Sequence, residues 1–371
     1  MSGTNKKMEL LGSAPIPNAL MALGIPIMIG MLINALYNLV DAYFVGGLGE
    51  TQMGAISIVF PLGQVVVGLG LMFGDGAASY LSRLLGRGDK GTANKVASTA
   101  LYSSVFIGAV IIILAAIFLK PILAMLGATD TIMPYALAYA RIYVISSIFN
   151  VFNVTMNNIV TSEGAAKTTM CALLLGAVLN IGMDPVFIYT LDMGVAGAAW
   201  ATVIAQFASC AFAFCFLIGK RVPVGITRLK REMLSKNITC RILGLGLSPF
   251  LILATDSVII IIMNTVLQHY GGPTEGDLLI TCATIVQSYM MLITGPMLGI
   301  SSGTQAILSY NYGAKATRRV RKAERCILLL CLCFTSLMFL LSRIVPQYFI
   351  GIFTRDPGLT DLCIWGIHIF T

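Results

Sequence analysis

Two aspartates in long apolar stretches, Asp41 and Asp184, are the residues best suited to reversible binding of a small cation. Tyr37 lies four residues before Asp41 and Asn180 lies four residues before Asp184, so on a helix each polar residue shares a face with its acid. Thr202 adds a hydroxyl in a third apolar stretch. Oxygen ligands of these kinds suit a proton or a hard cation such as Na⁺. The alternative is a structural hydrogen-bond network between helices.

Other polar residues in apolar stretches each allow two interpretations. Asn150, Asn153 and Asn157 form one stripe at helical spacing, which either lines a substrate cavity or binds neighbouring helices together. Pro26 predicts a kink, which is either a moving hinge or a static bend. Asp75 is either functional or simply solvated near a helix end.

The composition shows which kind of chain must position these residues. Of the 371 residues, 57% are hydrophobic and only 11% are charged, whereas a soluble domain has about 25% charged residues. The apolar residues fall in blocks of about 20 or more, the length that a hydrocarbon core requires of a helix. This pattern excludes soluble enzymes, nucleic-acid binders and disordered regulators. It predicts an all-α, polytopic helical membrane protein.

The apolar blocks give nine complete spans and the beginning of a tenth. Spans one, five and six, at 16–45, 168–190 and 194–219, carry the residues of the candidate cation site. The other six complete spans are predicted at 53–82, 96–119, 133–160, 242–268, 278–310 and 326–350. The tenth begins near Leu359 and is still apolar at Thr371.

The basic residues predict the orientation of these spans. Twenty of the 24 Lys and Arg residues fall on one set of alternate loops, which the positive-inside rule assigns to the cytoplasm. The formal net charge of +8 is therefore a topology signal and predicts no nucleic-acid partner. We expect a multi-pass protein of the cell (inner) membrane with a cytoplasmic N-terminus. Asp41 and Asp184 should then lie at similar depth, because both precede the outer ends of spans that run outward.

An internal repeat predicts how the spans are grouped. Residues 76–86 and 303–313 both read Gly-x4-Leu-Ser-x3-Gly and lie 227 residues, or six spans, apart. Two copies in one orientation indicate a parallel duplication, with an N-lobe at 1–219, a cytoplasmic loop at 220–241 and a C-lobe at 242–371. A six-plus-six design predicts twelve spans, so the sequence, which stops within the tenth, is expected to be truncated.

Several stretches together resemble the multidrug and toxic compound extrusion (MATE) family, in its bacterial multidrug branch. They include Tyr37-Asn-Leu-Val-Asp41-Ala-Tyr-Phe-Val-Gly46, Leu179-Asn180-Ile-Gly-Met-Asp184-Pro185 and Gly194-Val-Ala-Gly-Ala-Ala-Trp200-Ala-Thr202. The resemblance implies two six-helix lobes around a central cavity, and export of small organic cations coupled to inward H⁺ or Na⁺. No cofactor is expected besides the coupling ion, and the protein is expected to be a monomer in contact with membrane lipid.

The resemblance also assigns roles to residues. Asp41, Asn180, Asp184 and Thr202 would form the cation site, which could hold Na⁺, with Tyr37 beside it. Pro26 would be the bend that changes on protonation. Some members of the family carry a working acid in span seven, and Asp256 stands close to that position, which makes it a second coupling candidate.

Two other functions compete with this hypothesis. A lipid-linked oligosaccharide flippase has a similar layout, but a cavity for anionic pyrophosphate lipids should be lined by Arg and Lys, and the buried charges here are mainly acidic. An intramembrane aspartyl protease needs Gly-x-Gly-Asp, whereas Asp75 follows Met72-Phe73-Gly74, and neither Asp41 nor Asp184 has the motif. The protein is therefore not expected to be an enzyme.

Overall fold

The structure, a computed structural model, describes residues 3–48, 50–128, 130–218, 236–351 and 357–370. Helices occupy nearly all of these ranges, and no strand occurs within them. In chain order they are α1 (Gly3–Gly12), α2 (Ile16–Gly46), α3 (Glu50–Gly86), α4 (Lys90–Met125), α5 (Met133–Ser162), α6 (Ala166–Pro185, continued by a π-helical turn over Val186–Thr190), α7 (Gly194–Ile218), α8 (Lys236–Gly313), α9 (Thr317–Ile344), α10 (Pro346–Ile350) and α11 (Pro357–Phe370).

The predicted all-α membrane architecture is confirmed. Nine helical segments in the described part of the chain are long and apolar enough to cross a membrane, and they correspond to the nine predicted complete spans. Each predicted span overlaps one of these segments, and most boundaries agree within a few residues. The beginning of the tenth corresponds to α11.

Spans seven and eight are joined in α8, which contains the two membrane-length segments Lys236–Gly271 and Cys282–Gly313. A straight helix of 78 residues would be about 117 Å long. Arg241 and Tyr312, near its two ends, nevertheless line one cavity. The chain therefore reverses direction between the two segments. The helix begins at Lys236, inside the predicted loop 220–241, of which residues 220–235 lie outside the described residues.

The predicted division into two lobes gives names to the helices, although α8 packs extensively against α2 and α3. We call α2–α7 the first lobe and α8–α11 the second lobe. Small residues dominate the buried positions of the first lobe, for example Ala93, Ala97 and Ala100 on α4 and Ala213 on α7. In a membrane, helices associate through close van der Waals packing, which small side chains permit. The second lobe has a smaller core, in which α8 meets α11 at Cys282 and Cys363.

The repeated glycine motif lies where the two lobes touch. A Cβ on Gly86 would collide with the carbonyl oxygen of Tyr310, and a Cβ on Gly313 would collide with that of Arg83. The two contacts are reciprocal, because the 227-residue offset of the repeat relates Gly86 to Gly313 and Arg83 to Tyr310. The backbones of α3 and α8 therefore touch without intervening side chains, and only glycine allows this approach.

Further glycines extend this interface. A Cβ on Gly76 would collide with the Ile242 carbonyl oxygen, and one on Gly246 would collide with that of Met72. On the other side of the interface, a Cβ on Gly303 would lie 2.6 Å from the Leu23 carbonyl oxygen. All of these contacts lie toward the end of the bundle that carries Arg83, Arg87, Arg241 and Lys315, which we call the basic end.

The end of α1 is bound to the second lobe at the basic end. Asn311, which is 1% exposed, donates from Nδ2 to the Leu11 carbonyl oxygen at 2.9 Å. Arg319 donates from Nη2 to the Ala14 carbonyl oxygen at 2.8 Å and from Nε to Asn311 Oδ1 at 2.9 Å. These bonds satisfy carbonyl groups at and after the end of α1, where a helix leaves carbonyls unpaired. They join α1 to the second lobe.

Asn311→Ala should lower the stability of the folded protein by about 1–3 kcal/mol, because it leaves buried partners of Asn311 unpaired. The measurement is thermal unfolding of the purified protein in detergent. The exposed Asn237→Ala variant, near the start of α8, serves as the control and should unfold close to the wild-type temperature. Equal unfolding temperatures for the two variants would contradict a stabilising role for this contact.

Glu163 is a buried acid just beyond the end of α5. Its side chain is 0% exposed, and neither carboxyl oxygen has a hydrogen-bond partner in the described structure. Burial raises the pKa of the Glu163 carboxyl well above its ordinary value, and the charge of Lys7 opposes this shift. Burial also lowers the pKa of Lys7, against the effect of Glu163. Glu163 is therefore held in its neutral form over a wider pH range than an exposed glutamate.

Glu163→Gln should stabilise the protein at neutral and alkaline pH. A carboxyl whose pKa is raised on folding binds more protons when folded, so stability falls as the pH rises above the ordinary glutamate pKa of about 4.3. Glutamine carries no such penalty. The increase in unfolding temperature should be largest above the raised pKa and should disappear near pH 4. The exposed Glu324→Gln variant should show no such pH dependence. An equal increase in unfolding temperature near pH 4 and above the raised pKa would indicate that the substitution acts through packing and not through charge.

Candidate functional site

The helices α2, α6 and α7 bring four of the predicted cation-site residues together. The carboxyl groups of Asp41 on α2 and Asp184 on α6 lie within hydrogen-bonding reach of each other. Asn180 donates from Nδ2 toward Asp184 Oδ1 and toward Thr202 Oγ1, both at 3.4 Å. Asp184 is 0% exposed and Asn180 is 2% exposed, so the site lies in the interior of the first lobe.

The site contains more acceptors than donors. Asp41 Oδ1, Asp184 Oδ2 and Asn180 Oδ1 are buried, and none has a hydrogen-bond partner in the described structure. The Thr202 hydroxyl donates away from the site to the Ala198 carbonyl oxygen at 3.1 Å. Buried polar atoms without partners destabilise a fold. Binding of protons or a cation would satisfy these acceptor oxygens. The hard oxygen donors fit H⁺ or Na⁺.

Two tyrosines lie near the two acids, and a third lies beside one of these tyrosines. Tyr37, predicted as a neighbour of the site, lies on α2 within electrostatic range of Asp41 and Asp184. Tyr139 on α5 is also within that range of both acids, and its ring stacks on that of Tyr143 with centroids 5.8 Å apart. These two α5 tyrosines were not among the residues predicted from the sequence. Their spacing of four residues, which places both on one helix face, was the available signal.

A π-helical turn follows directly after Asp184 and Pro185. It covers Val186–Thr190, and within it the Tyr189 hydroxyl donates to the Phe44 carbonyl oxygen near the end of α2 at 2.6 Å. Proline at position 185 removes a backbone donor, and π-helical turns are frequent at functional sites. The two helices that carry the acids are thus joined beside the site.

The asparagine stripe lies inside the first lobe. Asn157 donates to Asn153 Oδ1 at 2.9 Å, and Asn153 donates to the Ser209 hydroxyl on α7 at 3.3 Å. Asn150 and Asn157 are each 7% exposed. Only Asn153 is bonded to a neighbouring helix, whereas Asn150 Oδ1 and Asn157 Oδ1 are buried without a hydrogen-bond partner in the described structure. Asn153 thus helps to bind α5 to α7, and the substrate-cavity role of the stripe remains a prediction.

Asp75 and Asp256 lie apart from the Asp41–Asp184 site. Asp75 Oδ1 is buried without a partner, and its backbone carbonyl accepts from Gln305 Nε2 at 3.5 Å, so Asp75 lies between the lobes and not in a solvated end. Asp256 is exposed and lines a shallow cavity of about 610 Å³ with other α8 residues, among them Leu251 and Thr255. The structure thus separates the second coupling candidate from the first.

Pro26 lies within α2, which is continuous from Ile16 to Gly46. The second half of α8 packs against the turn that follows it, since a Cβ on Gly299 would lie 2.7 Å from Met28 Cα. Any change in the bend at Pro26 would therefore move a segment that touches the other lobe. The hinge role remains a prediction.

Nine helical segments in the described part of the chain that are long and apolar enough to cross a membrane, together with a buried polar site, define a multi-pass helical membrane protein. The MatE family profile matches residues 26–186 and 250–364, which is most of the chain. The chain belongs to the MatE family.

Individual relatives agree with this assignment. The chain is 27% identical to the multidrug export protein MepA of Staphylococcus aureus (strain MRSA252) over 366 residues, which cover 98% of the chain and 80% of that protein. The crystal structure of a MATE protein in complex with MaL6 is 28% identical and has a TM-score of 0.90. A multidrug resistance MATE family transporter in an outward-facing conformation is 29% identical, with a TM-score of 0.89. Both matches cover 98% of the chain and 80% of the solved protein.

Proposed function

We propose that this protein exports organic cations, including drugs, in exchange for H⁺ or Na⁺ that enters through the Asp41–Asp184 site. One observation carries the proposal: two carboxyl groups, Asn180 and Thr202 meet in the interior of a membrane lobe with three acceptor oxygens unpartnered. A charged residue in a membrane helix is costly and usually functional. Relatives named as multidrug export proteins support drugs as the cargo.

The orientation follows from the basic loops. The basic end would face the cytoplasm, with the N-terminus on the same side, in the cell (inner) membrane. The acids then lie toward the outer end of α2 and α6, where a cation arriving from outside reaches them first. The protein would act as a monomer among membrane lipids, with the coupling ion as its only required small-molecule partner besides the cargo.

Alternating access explains how the two lobes contribute. The inter-lobe contacts at Gly76, Gly86, Gly246 and Gly313 close the basic end. Similarity to an outward-facing transporter supports this conformation as the one open to the outside. Export would require these backbone contacts to separate so that cargo can enter from the cytoplasm.

Competition would couple the ion to the cargo. With Asp41 and Asp184 empty, the protein binds the organic cation directly or favours the conformation that binds it. Entry of H⁺ or Na⁺ supplies the unpartnered oxygens with a donor or a cation and lowers that affinity. Coupling of this kind is reciprocal and typically changes affinity by about 5–150-fold.

The test is export of a fluorescent organic cation from proteoliposomes under a proton gradient and, separately, a sodium gradient. We expect export under at least one gradient, and the effective gradient identifies the ion. Protein-free liposomes and a fluorescent anion of similar size are the controls. If the protein moves no organic cation under either gradient but moves a lipid-linked oligosaccharide, the exporter proposal is wrong and the flippase is the better assignment.

A further inference from the structure

A second polar cavity lies at the basic end, between the two lobes and away from the Asp41–Asp184 site. Its volume is about 420 Å³. Arg83 contributes from α3 and Arg87 from the turn directly after it in the first lobe, and Arg241 contributes from the start of α8 in the second lobe. Tyr80 and Tyr312 complete its polar lining. None of the described lining residues is acidic, so three guanidinium groups share one cavity without a counter-charge in its wall.

Two of the guanidinium groups are held in place by the tyrosines. Arg83 lies over the ring of Tyr312, with 5.2 Å from the guanidinium carbon to the ring centroid. Arg241 lies over the ring of Tyr80 at 5.7 Å and donates to its hydroxyl at 3.3 Å. Each of these contacts leaves further N–H groups of the arginine available. The Arg83 Nε atom is buried and has no acceptor in the described structure.

Like charges gathered in one cavity repel each other, and an anion removes the repulsion. Guanidinium groups bind phosphate oxygens through paired, charge-assisted hydrogen bonds, which a chloride ion cannot reproduce. Basic pockets between membrane helices on the cytoplasmic side commonly receive lipid headgroups. A cavity of about 420 Å³ has room for a phosphate group with its substituent.

We propose that this cavity is a phosphate-binding site that takes the phosphate of an anionic phospholipid headgroup or of a soluble phosphate compound. The inference goes beyond the proposed function and does not depend on it. Because Arg83 and Arg87 belong to one lobe and Arg241 belongs to the other, a bound phosphate bridges the lobes. It therefore favours the conformation in which the basic end is closed.

The test uses the double variant Arg83→Gln with Arg241→Gln. The matched control is Arg318→Gln with Arg321→Gln, which removes the same charge from exposed positions on α9 at the basic end. Native mass spectrometry measures binding of phosphatidylglycerol, with phosphatidylcholine as the neutral lipid. In a second arm, potassium phosphate is titrated in detergent against potassium chloride of equal ionic strength, and thermal unfolding is recorded.

We expect the double variant to bind phosphatidylglycerol about 30-fold more weakly than wild type, at roughly one basic-residue contribution for each arginine lost. The control pair should bind like wild type. Since Arg83 and Arg241 also contact tyrosines, the single Arg87→Gln variant provides an independent check on an exposed side chain, with an expected loss of about fivefold.

The two arms distinguish the sources of phosphate. Binding of phosphatidylglycerol without stabilisation by inorganic phosphate assigns a lipid headgroup, and stabilisation by inorganic phosphate alone assigns a soluble phosphate. Binding of phosphatidylglycerol together with stabilisation by inorganic phosphate, both lost in the double variant, assigns a site for either. Equal lipid binding and equal phosphate stabilisation in wild type, the double variant and the control pair would overturn the proposal. So would the absence of any effect of either ligand on wild type.

Discussion

Asp41→Asn should abolish ion-driven export while leaving the protein folded. Asparagine has nearly the same size as aspartate and keeps one oxygen acceptor, but it carries no charge and takes up no proton near neutral pH. The Asp41–Asp184 pair can then no longer act as the site at which H⁺ or Na⁺ competes with the organic cation. The dependence of cargo affinity on the ion, about 5–150-fold in coupled systems, should disappear. Export from proteoliposomes and cargo binding with and without the coupling ion are the measurements.

Asp192→Asn is the matched control for this variant. Asp192 is exposed and lies just beyond the π-helical turn, and its φ of 50° is a conformation that asparagine adopts readily. The same chemical change at this position should leave export intact, whereas Asp184→Asn should behave like Asp41→Asn. Gradient-driven export that survives in Asp41→Asn and Asp184→Asn would assign the acids a structural role and direct attention to Asp256.

Gly246→Ala should force the lobes apart at the basic end. The added Cβ would collide with the carbonyl oxygen of Met72, which is backbone and cannot rotate away. Overpacking of this kind costs about 1–3 kcal/mol. The closed basic end should therefore become less populated, and the unfolding temperature should fall.

Gly244→Ala, two residues away on the same helix, is the matched control, because a Cβ there meets nothing within 4 Å. Alanine in an open helical position is expected to stabilise the helix by about 1 kcal/mol relative to glycine, so the two variants should have opposite effects. Closure can be followed by introducing cysteines at Ser79 and Ser309, whose hydroxyl oxygens are 3.2 Å apart, and measuring the rate of disulfide formation by mass spectrometry. Equal rates in both glycine variants would contradict this account of the interface.

The sequence was sufficient to predict the membrane helices. Their length and apolar composition are local properties, and the hydrocarbon core imposes a minimum length on each of them. The i, i+4 spacing likewise placed Asn180 and Asp184 on one face of α6 without knowledge of the fold. Equal depth then made Asp41 a neighbour in principle, although only the packing of α2 against α6 brings the two carboxyl groups into reach.

The features that sequence analysis missed depend on contacts between helices. Tyr139 lies in an apolar helix, where aromatic residues usually pack, and only the tertiary structure places it near the acids. Glu163 stands next to a basic loop, where an acid is normally solvated, yet the structure buries it completely. The asparagine stripe could face either a substrate cavity or a neighbouring helix, and its spacing in the sequence does not distinguish between the two.

The bond from Tyr189 to the Phe44 carbonyl oxygen has a mechanical consequence. It joins the C-terminal end of α2 to the π-helical turn that continues α6, three residues past Asp41 on one helix and five past Asp184 on the other. Two helices that are joined at one end can separate only by rotating about that end. Bending of α2 at Pro26, far from the Tyr189–Phe44 bond, would therefore move the N-terminal part of α2. The separation of Asp41 and Asp184 would change only slightly. This bond would allow the Asp41–Asp184 site to keep a small cation bound while the rest of α2 moves.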